Sequence, residues 1–391
     1  MWRKLIPALV MAIAVYFVWQ ETSQGRIGLV SPGVVTISTN TDAQLYIDGQ
    51  LSGSIRASQM RVLNELKPGR HIIGLSALGY KSKSVGVMVE NGQRVEQVFK
   101  LEPEIVPVPK TKTVAFNNLA QSIANADDGA VLFLAAGEYK LLSTVKVQKS
   151  ISLIGAGQAL TRISSSVGVA VMAFKTGQLH LKGISFIHTG KQKADVLDIK
   201  DAQVDIEDCR FSGGYTPDTP RKDGDGVWLH GRSSGRIINS RFERNALNGL
   251  EVRDDTNVVL ENNQFNRNDA AGLSVWETAK VRVVKSFMNF NKKKGIQASD
   301  QASVTILGNS LSFNAGSGIS FYGSAKGLVE SNSLISNTFG MEIMEQSTVT
   351  VAKNNFYRHD EAIYVAKKAT ATIGQNTFEN NKQKIVYEKK N

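Results

Sequence analysis

A repeat of 22 to 23 residues fills the C-terminal part of the chain and limits what it can fold into. One station of the repeat is a small residue, and successive copies lie 23, 23, 23, 23 and then 22 residues apart. The copies are Gly226, Gly249, Gly272, Gly295, Gly318 and Gly340, continued by Ala362 and Lys384. A unit this short cannot enclose a core of its own, so successive units must stack and share one.

Apolar residues recur at three further stations of each repeat. These ladders are Val227, Leu250, Leu273, Ile296, Ile319, Met341, Ile363 and Ile385; Ile237, Leu260, Val283, Ile306, Val329, Val351 and Ile373; and Phe242, Phe265, Met288, Leu311, Leu334, Phe356 and Phe378. Three apolar stations in β-like stretches predict three short strands per coil, and therefore an all-β parallel β-helix. A leucine-rich repeat has a similar period, but its LxxLxLxxN pattern is missing.

Asparagine forms two more ladders between the apolar stations. Their members are Asn245, Asn268, Asn291, Asn314 and Asn337, continued by His359 and Asn381, and Asn263, Asn309, Asn332, Asn354 and Asn376, with Ser240 and Ser286 in the gaps. Asparagine tolerates left-handed backbone angles at corners, and its amide can hydrogen-bond to the copies above and below. The pattern predicts a structural role for these asparagines and not a catalytic one.

The segments KSISLIGAGQALTRIS and DGAVLFLAAGEY and the NxFxxNxxxG repeat resemble the right-handed β-helix superfamily of pectate lyases, polygalacturonases and related polysaccharide-acting proteins. The resemblance spans about residues 114–386 and implies a right-handed, single-stranded parallel β-helix. It implies no single activity, because the superfamily contains lyases, hydrolases, epimerases and non-catalytic proteins. A short helix is predicted at 116–126. Residues 387–391 are predicted to be a charged tail that protects the open sheet edge.

Composition and charge indicate the kind of partner. A chain of 391 residues that is 42% hydrophobic has room for a sizeable core and about two domains. The net charge of +11 favours acidic partners such as acidic polysaccharide, anionic lipid or nucleic acid. The single cysteine, Cys209, excludes an internal disulfide framework.

The N-terminal segment, residues 1–22, is predicted to be an uncleaved membrane anchor. Arg3 and Lys4 precede an apolar run from Leu5 to Trp19, and such basic residues favour the cytoplasmic side. A cleaved signal peptide is the alternative, although no small-x-small cleavage site follows. Both alternatives export the rest of the chain to the periplasm or the cell surface, and export argues against nucleic acid as a partner.

Residues 34–102 form a separate β-rich block, which is predicted to be a small β-sandwich. Its segments YIDGQLSG, LKPGRHIIGLSALGY and VFKLEP resemble the PEGA domain family. The resemblance implies an extracytoplasmic interaction module, a possible site for a protein partner, without catalytic residues. The proline-rich stretch 103–113 is predicted to be an extended linker.

One outer face of the β-helix concentrates residues that can bind a polymer. Alternation along 226–230 and its copies predicts which side chains point outward. The two outward rows are Trp228, Glu251, Ser274, Gln297, Ser320, Glu342 and Tyr364, and His230, Arg253, Trp276, Ser299, Tyr322, Met344 and Ala366. The rings of Trp228, Trp276, Tyr322 and Tyr364 suit stacking on sugar rings, so the face is predicted to be an elongated polysaccharide groove.

An insertion at 213–226 lengthens the coil that leads into this face. The interval from Phe to Gly is 15 residues here (211 to 226) and 7 in the next coil (242 to 249). Insertions in a solenoid often map to the binding face. The loop residues predicted to bind substrate are Arg221, Lys222, Asp223 and Asp225.

Acidic, basic and cationic residues beside the insertion are candidates for catalysis. For a uronate lyase or epimerase, His230, Lys200 or Arg253 could remove the C5 proton and neutralise the substrate carboxylate. For a glycoside hydrolase, two carboxylates are needed, and the candidates are Asp198, Asp223, Asp225 and Glu251. A charged rim that only binds is the alternative.

Next to this face, Asp254, Glu277, Asp300 and Glu345 form a row of carboxylates. Stacked like charges about 4.8 Å apart repel, and calcium is one ion that could neutralise them. No cofactor is required by the sequence, and calcium is a possible one. The lysines 292–294 are predicted to lie away from the groove.

These patterns predict an exported, membrane-tethered protein that recognises an acidic polysaccharide along the β-helix and cleaves or epimerises it. The alternative is a non-catalytic envelope scaffold or adhesion protein that binds other proteins. A groove in which His230, Lys200 and Arg253 reach one point favours an enzyme, and side chains that point apart favour binding alone.

Overall fold

The computed structural model describes residues 33–48, 50–57, 59–64, 66–77, 80, 82–102, 112–114, 118–217 and 223–388. The chain divides into two compact units, Met1–Val108 and Pro109–Asn391. The predicted anchor at 1–22 and the predicted linker up to residue 111 lie outside the described residues. Across the part that is described, no helix is both long and apolar enough to cross a membrane.

The N-terminal unit contains two sheets around one core. The first sheet has the strand order Arg61–Leu63, Val34–Thr39 and Arg94–Phe99, and the second has the order Gln50–Ile55, Ala43–Ile47, Gly69–Ser76 and Lys83–Val89. Val35 and Phe99 from the first sheet and Leu45 and Ile73 from the second are fully buried in the shared cluster. Alternation of buried and exposed residues along Val34–Thr39 places one side of each strand in this core.

The C-terminal unit is a parallel β-helix with three faces, here named A, B and C. Face A consists of Val145–Val147, Val227–His230, Leu250–Val252, Ala271–Val275, Lys294–Ala298, Ser317–Phe321, Phe339–Ile343, Glu361–Val365 and Gln383–Tyr387. Face B consists of Lys112–Val114, Ala130–Leu134, Ile151–Gly155, Ser234–Ile238, Asn257–Glu261, Lys280–Val284, Ser303–Leu307, Lys326–Glu330, Thr348–Ala352 and Thr370–Ile373. Face C consists of Gly137–Leu141, Thr161–Ser165, Ser185–His188, Arg210–Ser212, Arg241–Glu243, Gln264–Asn266, Phe287–Asn289, Ser310–Ser312, Ser333–Ile335, Asn355–Tyr357 and Thr377–Glu379. Two longer strands, Ala170–Lys182 and Asp195–Glu207, run through face A into face B.

The parallel register follows the repeat, which confirms the predicted fold. Val227 pairs with Leu250, and Phe242 pairs with Phe265 in the next coil. The apolar ladders fill one continuous core, whose residues are almost all completely buried. One short helix, Leu119–Ala124, lies within the stretch predicted to be helical at 116–126 and buries Leu119 and Ile123.

The glycine ladder is explained by close approach between coils. A Cβ atom at Gly272 would lie 2.8 Å from the carbonyl oxygen of Gly295 and 2.9 Å from Cβ of Phe265. These distances are shorter than real carbon contacts, so any side chain would push two coils apart. Glycine is therefore required here because there is no room for a side chain. Its backbone angles are ordinary and do not demand glycine.

The asparagine ladders join each coil to the next by side-chain hydrogen bonds. Asn268 Oδ1 accepts the backbone N–H of Asn245 at 3.2 Å and its Nδ2–H at 3.0 Å, and Asn268 Nδ2 donates to the carbonyl of Phe242 at 3.1 Å. The predicted structural role is thus borne out. The predicted left-handed backbone is wrong for the ladder asparagines themselves, because the positive φ lies on the preceding residue, as at Arg267 before Asn268.

Candidate functional site

Face A presents the two predicted outward rows in the predicted register. Asp198 pairs with Trp228 and Trp228 with Glu251, while Lys200 pairs with His230 in the next coil. The four aromatic residues predicted to bind a polymer are partly exposed on this face, namely Trp228, Trp276, Tyr322 and Tyr364. The face is therefore a strip of rings and charged groups that extends along the coils.

The imidazole of His230 is fixed on both sides by its neighbours on face A. Its ring stacks on the indole of Trp228 with 3.8 Å between ring centroids and 6° between the planes. Its Nε2 donates to Asp198 Oδ1 at 2.9 Å, and Lys175 Nζ donates to Asp198 Oδ2 at 2.9 Å. Burial raises the pKa of Asp198, but these two hydrogen bonds outweigh burial and hold it below its ordinary value.

The guanidinium of Arg253 is held in a second cluster, one coil further along. Its Nε donates to Glu251 Oε1 at 2.5 Å, its Nη1 lies 3.3 Å from Glu277 Oε1, and its Cζ lies 5.1 Å from the Trp276 ring centre. Asn248 Nδ2 donates to the other oxygen of Glu251 at 2.9 Å. Arg253 is consequently an organiser of this cluster that also covers the Trp276 ring.

The register places Lys200, His230 and Arg253 side by side in three consecutive coils, and carboxylates hold two of the three. His230 turns to Asp198 in the preceding coil, whereas Arg253 turns to Glu277 in the following coil. Lys200 is exposed beside His230. Arg253 also holds Glu251 of its own coil at 2.5 Å, and His230 Nδ1 lies 3.7 Å from Asp254 of the following coil. Each of the two groups is therefore held by a different set of carboxylates.

The carboxylate row does not form the predicted calcium site. Asp254 Oδ2 accepts the backbone N–H of Gly231 at 2.7 Å, Glu277 Oε2 accepts that of Asp254 at 2.8 Å, and Asp300 Oδ2 accepts that of Glu277 at 3.2 Å. Each carboxylate thus caps a corner of the preceding coil, at residues whose φ lies near +60°. Among the described residues, no group of three or more His, Cys, Asp or Glu side chains is arranged to hold a metal ion.

Two buried aspartates hold the base of the insertion. Asp195 Oδ1 accepts the backbone N–H groups of Gly224 and Asp225 at 2.7 and 2.8 Å. Asp225 Oδ1 accepts the backbone N–H of Asn248 at 2.8 Å, and Asn248 Oδ1 accepts that of Ala271 at 3.1 Å. One position in three successive coils therefore makes the same contact with Asp, Asp and Asn.

Both aspartates carry a carboxyl group at a position where an amide side chain is enough to make the same hydrogen bond to the backbone. Burial, with the charges of Asp223 and Glu251, raises the pKa of Asp195 to about 7. Burial, with the charges of Glu251 and Asp195, raises the pKa of Asp225 well above its ordinary value. Asn248 gives the backbone the same oxygen without this electrostatic penalty. The pair is therefore suited to hold a proton near neutral pH.

The remaining loop residues do not all match their predicted roles. Asp225 is only 1% exposed, so it does not touch a polymer directly as predicted. Asp223 is partly buried, with Oδ2 3.5 Å from Lys193 Nζ. Arg221 and Lys222 lie outside the described residues. The sequence analysis did not identify Asp195. Alignment of the coil that contains the insertion with the later coils would have placed Asp195 directly before the glycine station.

Lys294 belongs to face A, although the sequence predicted that it lies away from the groove. Its Nζ donates to Tyr322 Oη at 2.7 Å and lies 4.0 Å from the ring centre. Burial lowers the pKa of Lys294 and raises the pKa of Tyr322 to about 12. Nearby, Glu342 accepts hydrogen bonds from Ser317 and from Ser320, the latter at 3.1 Å.

The family is shown by a match over most of the β-helix. The family model described as "Right handed beta helix region" matches residues 161–311 and 285–391. This chain belongs to that family. The family assigns the right-handed fold to the three-faced solenoid, while the activity of a member depends on its own site. No curated protein matches the chain by sequence.

Solved structures with a similar fold were compared with this right-handed β-helix protein. The A-module of the mannuronan C-5 epimerase AlgE4 from Azotobacter vinelandii is 15% identical, with a TM-score of 0.45, over 71% of this chain and 95% of that one. The catalytic unit of a thermostable GH87 α-1,3-glucanase from Streptomyces thermodiastaticus strain HF3-3 is 13% identical, with a TM-score of 0.47, over 92% and 84%. The periplasmic alginate epimerase AlgG is 12% identical, with a TM-score of 0.48, over 68% of each chain. Sequence identity this low does not assign an activity to this chain, which has to be inferred from its own site.

Proposed function

We propose that face A binds a polysaccharide chain that lies along the β-helix axis. The observation that carries the proposal is the spacing of the aromatic rings. Trp228, Trp276, Tyr322 and Tyr364 lie on every second coil, so neighbouring rings are about 10 Å apart along the axis. Regular apolar platforms on a polar strip suit a polymer of sugar rings, whose C–H faces are apolar and whose edges carry hydroxyls.

The rings are held in place before any ligand arrives. Trp228 stacks on His230, Trp276 lies under Arg253 and donates from Nε1 to Ser274 Oγ at 2.7 Å, and Tyr322 is held by a lysine ammonium. Side chains that are already ordered lose little conformational entropy on binding. Two cations of this face, Lys175 and Arg253, are already paired with carboxylates, so we expect ring stacking and hydrogen bonding to contribute most of the affinity.

Removal of two rings should weaken binding strongly. We expect Trp276→Ala and Tyr322→Ala each to lose about 1 kcal/mol, or about fivefold in affinity, and the double variant more than tenfold. Isothermal titration of the full chain with neutral glucans and polyuronates of uniform length measures this. Phe287→Ala is the matched control, because Phe287 is 43% exposed on face C and should leave binding unchanged. Unchanged affinity in the double variant contradicts binding at face A.

Acid–base cleavage or epimerisation of the bound polymer is the second candidate function, and the buried aspartate pair favours it. Asp195, with a pKa of about 7, can hold a proton at neutral pH, whereas Glu251 is ion-paired with Arg253 at the edge of face A. Carboxyl groups whose protonation states differ are what general acid–base chemistry requires. In this mechanism Glu251 contacts the sugar, Asp225 positions it through Asn248, and Asp195 is a nearby group that titrates near neutral pH.

Product analysis tests this candidate. Hydrolysis yields new reducing ends without ultraviolet absorbance, elimination yields an absorbing unsaturated end, and epimerisation changes the sugar without shortening the chain. We expect Glu251→Gln to abolish the reaction and Asp195→Asn to shift its pH profile, with polymer affinity retained in both. A chain that binds the panel but leaves it chemically unchanged is a binding module, and one that binds none favours the protein-scaffold alternative.

Export and tethering remain part of the proposal. The sequence of residues 1–22 supports a membrane anchor with the basic end in the cytoplasm. The motif resemblance at 34–102 supports a PEGA-type interaction module that takes a protein partner outside the cytoplasm. A chain without residues 1–33 that still sediments with membranes would contradict the anchor.

A further inference from the structure

A row of corner residues follows the strands of face C and lies apart from the aromatic rows of face A. This row is named the corner ridge, and each member has a positive φ between 51° and 59°. Its members are Arg244, Arg267, Phe290, Phe313, Ser336, Arg358 and Asn380. The fold requires the left-handed backbone at this station but leaves the choice of side chain free.

Phenylalanine is an unexpected choice at two positions of the corner ridge. Phe290 and Phe313 are each 51% exposed, so neither contributes to the core. A left-handed backbone costs a bulky residue about 1–2 kcal/mol, while asparagine tolerates it. Asn380 adopts φ of 54° at the same station, which shows that the chain can fill it without strain. Neither folding nor burial accounts for these two rings.

The two rings form a stack that is closed at one end and open at the other. Their centroids are 5.3 Å apart with 7° between the planes, and Arg267 Cζ lies 5.8 Å from the Phe290 ring centre. The next station after Phe313 is the small Ser336, and the one after that is Arg358. Two coils separate Phe313 from Arg358, or about 10 Å, which is room for one flat ring between them.

Three members of the corner ridge are positively charged arginines. Arg244, Arg267 and Arg358 are exposed, and none of them forms an ion pair with another described residue. On face A, Lys175 and Arg253 are paired with carboxylates, whereas Lys200 is exposed and forms no ion pair with another described residue. The three arginines of the ridge are therefore available to an anionic partner.

We propose that the corner ridge is a second polysaccharide-binding surface, specific for a carboxylate-bearing chain. One pyranose ring stacks on the open face of Phe313 above Ser336, and carboxylates of the same chain pair with Arg267 and Arg358. Guanidinium groups recognise carboxylates through two parallel hydrogen bonds, which suits uronates. This surface does not depend on binding at face A.

The geometry of the corner ridge favours an acidic polysaccharide over a protein or a single-stranded nucleic acid. Two half-exposed phenylalanines make an apolar patch far smaller than the roughly 800 Å² per partner of a stable protein interface. Single-stranded nucleic acid stacks successive bases on free aromatic faces, but Phe290 is covered on both sides by Arg267 and Phe313. A ridge one residue wide and about 19 Å long, from Arg267 to Arg358, fits an extended chain of acidic sugars.

The test uses the full chain carrying Trp276→Ala and Tyr322→Ala, so that binding at face A is weakened. Affinity for polygalacturonate of uniform length is measured by titration, with neutral glucan and single-stranded DNA of equal charge as comparisons. We expect Phe313→Asn to weaken polygalacturonate binding at least fivefold without lowering the thermal midpoint, because Asn380 already adopts this backbone. Ser336→Phe should weaken binding similarly, since it fills the open place without changing charge.

Two further results decide the matter. The double change Arg267→Gln with Arg358→Gln should reduce binding at least tenfold and flatten its salt dependence. The proposal is overturned if Phe313→Asn and Ser336→Phe bind polygalacturonate like their parent, or if DNA binds equally well and responds equally to the variants. Failure of face A appears separately, as unchanged binding of neutral glucan, which lacks the carboxylates that the ridge arginines would hold, when Trp276→Ala and Tyr322→Ala are made alone.

Discussion

Asn291→Ala should lower the free energy of unfolding by about 5 kcal/mol, the largest effect expected of a single substitution in this β-helix. Asn291 Oδ1 accepts the backbone N–H and the Nδ2–H of Asn268 at 3.1 and 3.0 Å. Its Nδ2 donates to the carbonyl of Phe265 at 3.0 Å and to Asn314 Oδ1 at 2.9 Å. The side chain is 1% exposed, and each buried partner left unsatisfied costs about 1–3 kcal/mol.

Urea unfolding followed by circular dichroism measures this loss. Because each coil contacts only its neighbours, we also expect a less cooperative transition, with the coils on the two sides of residue 291 unfolding separately. Asn257→Ala is the control, since Asn257 is exposed at the start of a face B strand and should change stability by less than about 0.5 kcal/mol. If Asn291→Ala lowers the free energy of unfolding by less than 1 kcal/mol, the asparagine ladder does not stabilise the fold.

Asp195→Asn should make the protein more stable at neutral pH, by an amount that grows between about pH 4 and pH 7. The folded state raises the pKa of Asp195 from 3.8 to about 7, so in this window the folded chain binds more protons than the unfolded chain. Stability from this group is therefore full below pH 4 and is lost as the pH rises through about 7. A shift of this size corresponds to about 4 kcal/mol.

The difference between the two proteins reports Asp195 together with its effect on the neighbouring carboxyl of Asp225, because every other titrating side chain is shared. Unfolding free energies of the wild type and Asp195→Asn, measured every half unit from pH 4 to pH 8, give the difference curve. Asn248→Asp is the reciprocal control, since it places a third carboxyl at the same position of the next coil and should destabilise the protein above pH 4. A flat difference curve would mean that Asp195 is ionised at no cost and is unsuited to proton transfer.

The sequence by itself determined the fold and the register of the face. An interval of 22 to 23 residues, with apolar stations at fixed places, permits only stacked coils, and alternation along each strand then dictates which side chains point outward. Trp228, Glu251 and His230 lie where this reasoning put them. The asparagine ladder was also predictable, because a polar residue repeated at every coil of a packed core must bond to its own copies.

Only the tertiary structure decided where the charged ends of long side chains point. His230 and Arg253 share one row, yet His230 is held by Asp198, whereas Arg253 is held by Glu251 and Glu277. The row that includes Asp254 looked like a metal site in the sequence, but its oxygens accept backbone N–H groups that only the corner geometry exposes. Asp195 escaped notice because the insertion breaks the period that would have aligned it with Asn248. Spacing fixes the position of a Cα atom, whereas the partner of a flexible charged side chain depends on which group in a neighbouring coil is nearest.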